Sequence, residues 1–188
     1  MMLSYDKKDW LTIPNILSLI RLLLIPIFIV LYLNAAQPTD YYRASFIILL
    51  SGLTNLLDGW IARKYHQITD LGKILDPIAD KFTQVTVVIC LASQFQWMGI
   101  IVVLFLVKEL FMMVNSLILL QKGKKIDGAK WYGKSSTAIF YSCIIFLIAF
   151  PLLSERIASL LILVIGFFLL LSLFLYGKIF IKMYQEKM

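Results

Sequence analysis

The chain has 188 residues, 61% of them hydrophobic and only 15% charged, with a mean hydropathy of +0.86. That balance lies far outside the range of soluble domains, so the sequence reads as an all-α integral membrane protein with little chain left for anything else. The net charge of +7 follows from where Lys and Arg fall relative to the apolar runs, and it gives no reason to invoke nucleic acid.

Residues 1–12, MMLSYDKKDWLT, mix Trp and Leu with charges, which predicts a short amphipathic helix lying in the membrane interface. Apolar runs of about 20 residues suffice to cross a bilayer as helices. Six such runs occur, at 13–33, 44–63, 75–94, 97–120, 134–153 and 157–181. They predict six transmembrane helices in a single domain over 1–188. The first run, followed by LNAAQ, could pass for a signal peptide, but it is too long and carries Arg21. Cys90 and Cys143 fall inside spans without partner spacing and read as small apolar residues. His66 reads as a loop or interface residue. With six spans, one side collects Lys7, Lys8, Arg63, Lys64, Lys73, the lysines of 122–134, Lys182 and Lys187, and the other only Arg43 and Arg156. The excess places both termini and the 2/3 loop in the cytoplasm, against anionic headgroups.

One stretch breaks the hydrocarbon pattern: TNLLDGWIARKYHQITDLGKILDPIADK, residues 54–81. A charge at the bilayer centre costs about 2.5–3.5 kcal/mol on insertion scales, so charged residues in spans line wet cavities, pair, or bind something. Helical geometry sets Asn55, Asp58 and Ala62 on one stripe, and Asp76 and Asp80 on another at the start of the next span. Gly59, Ala62, Gly72 and Ala79 among them permit close packing or close approach of a ligand. Carboxylates without His or Cys favour hard cations such as Mg²⁺, Mn²⁺ or Ca²⁺. Arg63, Lys73 and Lys81 stand beside the acids, a mixture suited to a phosphate-bearing substrate. Read singly, the same acids fit an ion-pair network at headgroup level.

As a spaced set, Asn55, Asp58, Gly59, Ala62, Arg63, Gly72, Asp76 and Asp80 resemble the D-x-x-D-G-x-x-A-R-x(8)-G-x-x-x-D-x-x-x-D signature of the CDP-alcohol phosphatidyltransferase family, every spacing kept and seven of eight residues identical. The resemblance implies a membrane-bound homodimer that takes a phosphatidyl group from CDP-diacylglycerol, gives it to a hydroxyl-bearing acceptor and releases CMP, using two divalent metals, Mg²⁺ or Mn²⁺. It implies metal-ligand positions at Asn55, Asp58, Asp76 and Asp80, with Asp80 also taking the proton of the attacking hydroxyl. Gly59, Ala62, Arg63 and Gly72 would form the wall against the CMP moiety, at a site facing the cytoplasm.

The chain departs from the signature at Asn55, where a neutral carboxamide offers one acceptor oxygen in place of a charged pair. Three readings stand open: an active enzyme with a retuned site, a natural relative without activity, or a deliberate substitution that keeps shape and removes charge. The string LDPIADK, Leu75 to Lys81, resembles the branches whose acceptors are glycerol 3-phosphate or phosphatidylglycerol, and glycerol 3-phosphate is the expected acceptor. Arg21, Lys81, Lys108 and Lys134 are the candidates for its phosphate. Lys108 could equally pair with Glu109, and Arg21 and Lys134 could be interfacial anchors. A cation channel is a poorer fit, because the acids gather at one end of the spans.

Overall fold

The computed structural model describes residues 12–69, 71–122 and 131–185. The expected interfacial helix over 1–12 falls almost wholly outside them. The described residues contain six helices: α1 (Ile13–Leu33), α2 (Pro38–Lys64), α3 (Gly72–Ala92), α4 (Met98–Gln121), α5 (Trp131–Ala149) and α6 (Glu155–Gln185).

Five of the six are long and apolar enough to cross a membrane, and α3 is the exception. Its first half carries Lys73, Asp76, Asp80 and Lys81, so the third expected span is polar where it begins. The other boundaries follow local chemistry. Pro14 and Pro38 sit in the first turns of α1 and α2, where a missing N–H costs nothing. Asp40 caps α2 by accepting from the backbone N–H of Gln37 (3.1 Å) and Ala36 (3.2 Å). This polar start extends α2 six residues before the apolar run expected from 44. The α5 helix stops at Ala149, shortly before Pro151.

The described residues divide into two compact units, one drawn from 12–90 and 148–152 and the other from 91–147 and 153–185. In the first, α1 packs along α2. Phe28 and Tyr32 stack at 5.5 Å between ring centroids, and Tyr41 meets Tyr32 edge-on at 5.7 Å. Ala44, Ile48, Ala79 and Val87 are buried in the same unit. In the second, α4 packs along α6. Small residues set the approach there: a Cβ at Gly166 would stand 3.2 Å from Ile101 Cδ1, and one at Gly133 only 2.5 Å from Tyr176 Oη. Leu119, Tyr132, Tyr176 and Phe180 form that unit's buried cluster, with Tyr132 and Tyr176 edge-to-face at 4.8 Å. Large apolar side chains such as Leu23, Leu56, Phe82, Leu163 and Phe174 point outward, as expected of helices whose solvent is lipid.

Candidate active site

The site is built where α2 ends and α3 begins. At the end of α2, Tyr65 N–H still bonds to Ile61 O at 2.9 Å, and Gln67 N–H reaches back to Ala62 O at 3.0 Å. Between them His66 adopts a positive φ of 53°, the left-handed conformation that commonly closes a helix and reverses the chain. Thr69 then caps α3: its Oγ1 accepts from Gly72 N–H at 3.0 Å. Asn15 of α1 donates to the same oxygen at 3.0 Å, tying three segments together. Gly72 is required at this knot, because a Cβ there would stand 2.5 Å from Asn15 Oδ1 and 3.1 Å from Thr69 Oγ1.

These segments enclose a cavity of about 150 Å³, into which the motif residues Asp58, Gly59, Ala62, Gly72 and Asp76 all project, with Asn15, Ser18 and Lys73 beside them. Arg63 is exposed, its Nη2 lying 3.8 Å from where a Cβ of Gly59 would be. The carboxylates do not converge on one point. Among the described residues no three His, Cys, Asp or Glu side chains gather as a metal-holding group.

Two physical reasons account for that difference from the expected cluster. First, Arg21 is completely buried and inserts its guanidinium between the acids, Nη2 donating to Asp58 Oδ2 and Nη1 to Asp76 Oδ1 at 3.1 Å. It is therefore not an interfacial anchor. Second, Asn55 is a donor where a carboxylate would be an acceptor: its Nδ2 bonds to Asp80 Oδ1 at 2.7 Å. Gln84 Nε2 takes the other oxygen of Asp80 at 3.1 Å, and Lys81 Nζ lies 3.9 Å away. The four motif positions thus form two pairs, Asp58 with Asp76 and Asn55 with Asp80.

The pairs differ in their fitness for a divalent cation. Asp58 is 2% exposed, and its Oδ1 is buried without a hydrogen-bond partner. An orphaned carboxylate oxygen costs about 1–3 kcal/mol or more, and Asp76, on the same cavity, has a side chain 42% exposed. These two acids fit a hard cation, with Arg21 holding them from the protein side. Asn55 and Asp80 suit one less well, since Asn55 turns its nitrogen toward Asp80 and each Asp80 oxygen already accepts from an amide donor.

Of the remaining sequence candidates, Lys108 and Lys134 belong to the second unit. Lys108 is buried and bonded to Glu109 at 2.7 Å, the ion-pair alternative, while Lys134 is exposed. Sequence reasoning overlooked Gln84, Asn15 and Thr69. Gln84 lies one turn beyond Asp80 and Thr69 three residues before Gly72, so spacing could have found both. Nothing in the spacing pointed to Asn15.

Comparison with known proteins bears on the same segment. The family model described as CDP-alcohol phosphatidyltransferase matches residues 11–176. A Wigglesworthia glossinidia brevipalpis protein named CDP-diacylglycerol--glycerol-3-phosphate 3-phosphatidyltransferase is 35% identical over 102 residues, covering 53% of this chain and 56% of its own length. A Haemophilus influenzae protein of the same name is 28% identical over 66% of this chain and 69% of its own. A Streptomyces coelicolor protein named cardiolipin synthase (CMP-forming) is 34% identical over 68% of this chain and 60% of its own. The chain thus spans less than two thirds of the first and third of these relatives.

Proposed function

The chain belongs to the CDP-alcohol phosphatidyltransferase family, and from that premise we propose that it transfers the phosphatidyl group of CDP-diacylglycerol to a hydroxyl of glycerol 3-phosphate, releasing CMP. The observation that carries this reading is the cavity shared by Asp58, Gly59, Ala62, Gly72 and Asp76, five residues of one spaced motif. Relatives named for that reaction support the acceptor.

In this reading Asp58 and Asp76 hold a divalent cation, Mg²⁺ or Mn²⁺. When bound, such a cation offsets the charge of a diphosphate and lowers the pKa of a hydroxyl close to it. The chain's own residues do the rest. Gly59, Ala62 and Gly72 let the nucleotide diphosphate approach the backbone, and Arg63 meets its charge from the exposed edge. Arg21 fixes Asp58 and Asp76 in position. Asp80 takes the acceptor's proton as the new P–O bond forms, and the bond to the bridging oxygen breaks so that CMP leaves with it. Lys81, beside Asp80, meets the acceptor phosphate. Lys108 and Lys134 are tested for the same role by their effect on KM. The enzyme works as a multi-pass membrane homodimer with both termini and the site on the cytoplasmic side, where lipid tails stay in the bilayer and the nucleotide stays wet.

The test is CMP release from CDP-diacylglycerol in detergent with Mg²⁺ or Mn²⁺, offering glycerol 3-phosphate or phosphatidylglycerol. Turnover with glycerol 3-phosphate is expected. Turnover with phosphatidylglycerol alone would move the chain to the reaction named for its Streptomyces relative, and silence from folded protein with every acceptor would overturn the catalytic reading.

A further inference from the structure

We propose that the amides of Asn55 and Gln84 hold Asp80 in place of a second cation, so that this chain binds one divalent cation, at Asp58 and Asp76. The inference rests on the transferase reading above for Asp80's part in the chemistry, but its geometry stands apart from it.

Asp80 is braced from two directions. Asn55 Nδ2 of α2 donates to Oδ1 at 2.7 Å, and Gln84 Nε2 from the next turn of α3 donates to Oδ2 at 3.1 Å. Gln84 is itself 2% exposed, and its Oε1 accepts from Lys81 Nζ at 3.4 Å. The amide of Asn55 has to present nitrogen here, because its oxygen would face a carboxylate oxygen, two acceptors with no proton between them. A cation shared by these residues would need Asn55 to turn over. It would lose the 2.7 Å bond and find one negative charge where an aspartate would give two. Two amides thus supply the donors that a metal would otherwise replace, and they do so without adding positive charge.

The contrast with Asp58 lies in the same cavity region. There one buried carboxylate oxygen has no donor, and two acids share a single guanidinium. One half of the motif therefore retains an oxygen with no donor, and in the other half each carboxylate oxygen already carries an amide hydrogen bond.

Gln84 then becomes a positioning residue for the transfer. It acts through Asp80 and touches no substrate. A Gln84→Met change, similar in length but without the donor, is expected to lower kcat at least tenfold while KM for CDP-diacylglycerol stays within twofold.

The deciding experiment counts Mn²⁺ bound per chain by the loss of the free-ion paramagnetic resonance signal, for the 188-residue chain in detergent micelles. One Mn²⁺ is expected for the chain itself and two for Asn55→Asp. Thermal unfolding of Asn55→Asp should fall below that of the parent without metal and recover in Mn²⁺, since its paired carboxylates need a cation between them. Two Mn²⁺ in the parent, or one in a folded Asn55→Asp, would overturn the proposal. None in the parent would overturn it as well. CMP release on the same preparations then tells whether the transferase reading falls with it or survives.

Discussion

Removing Arg21 tests the centre of the site most directly. The guanidinium is fully buried, and its two partners differ sharply: the Asp58 side chain is 3% exposed and that of Asp76 is 42% exposed. Breaking a buried ion pair by deleting one partner costs about 3–5 kcal/mol, because the other charge is left uncompensated. The Asp76 arm is partly solvated and adds about 0–1 kcal/mol. Arg21→Met should therefore destabilise the metal-free protein by about 3–5 kcal/mol, almost all of it through Asp58. Two further measurements separate this cause from lost packing. Arg21→Met with Asp58→Leu removes both charges and should recover most of the loss, since apolar replacement of a whole buried pair is often neutral. Adding Mn²⁺ to Arg21→Met at 100 times its dissociation constant should return about 2.7 kcal/mol. The assay is reversible unfolding in mixed micelles with metal chelated or supplied. A loss below about 1 kcal/mol in chelator would refute the reasoning, as would a double variant no more stable than the single one.

The glycines offer a paired comparison. Gly72→Ala drives a Cβ into Asn15 and Thr69, so it should cost about 1–3 kcal/mol and abolish CMP release. Gly59→Ala meets only Arg63 at 3.8 Å and should leave stability within about 1 kcal/mol while raising KM for CDP-diacylglycerol; equal behaviour of the two would defeat the distinction. In the second unit, Gly133→Ala collides with Tyr176 Oη at 2.5 Å and should lose about 1–3 kcal/mol, part of which Tyr176→Phe restores when combined with it. A loss unchanged by that second substitution would mean the hydroxyl is not the obstacle. Lys108→Met removes the 2.7 Å partner of the partly exposed Glu109 and should cost about 1–3 kcal/mol. A stable Lys108→Met with a raised KM for glycerol 3-phosphate would show instead that the lysine serves the acceptor.

Much of this site could be read from the chain. Asn55, Asp58, Asp76 and Asp80 were legible because helical spacing turns them onto defined stripes, and Gly72 because a fixed motif marks it. The helices were legible from their apolar runs but their ends less so: α2 begins earlier, at Pro38 with the Asp40 cap, α5 stops before Pro151, and the ends of α3 and α6 were also misplaced. What could not be read was the pairing. Arg21 lies 37 residues from Asp58 and 55 from Asp76, and no local rule joins positions so far apart. A signature also records which atoms occur but not which way an amide faces. The donor role of Asn55, which divides the four positions into two pairs, was therefore hidden. The weak span of α3 has a local cause: the helix that brings Asp76 to the cavity and Asp80 to Asn55 gives up hydrophobicity to do so.

The burial of Arg21 also bears on how the protein is made. Its two acids arrive 37 and 55 residues later in the growing chain, so at about 5–20 residues per second the first helix waits roughly 2–7 s for Asp58. During that interval it carries an uncompensated cation that hydrocarbon rejects by about 2.5–3.5 kcal/mol. That cost favours keeping the nascent first helix near the headgroups until α2 emerges, so that the two enter the bilayer as a pair.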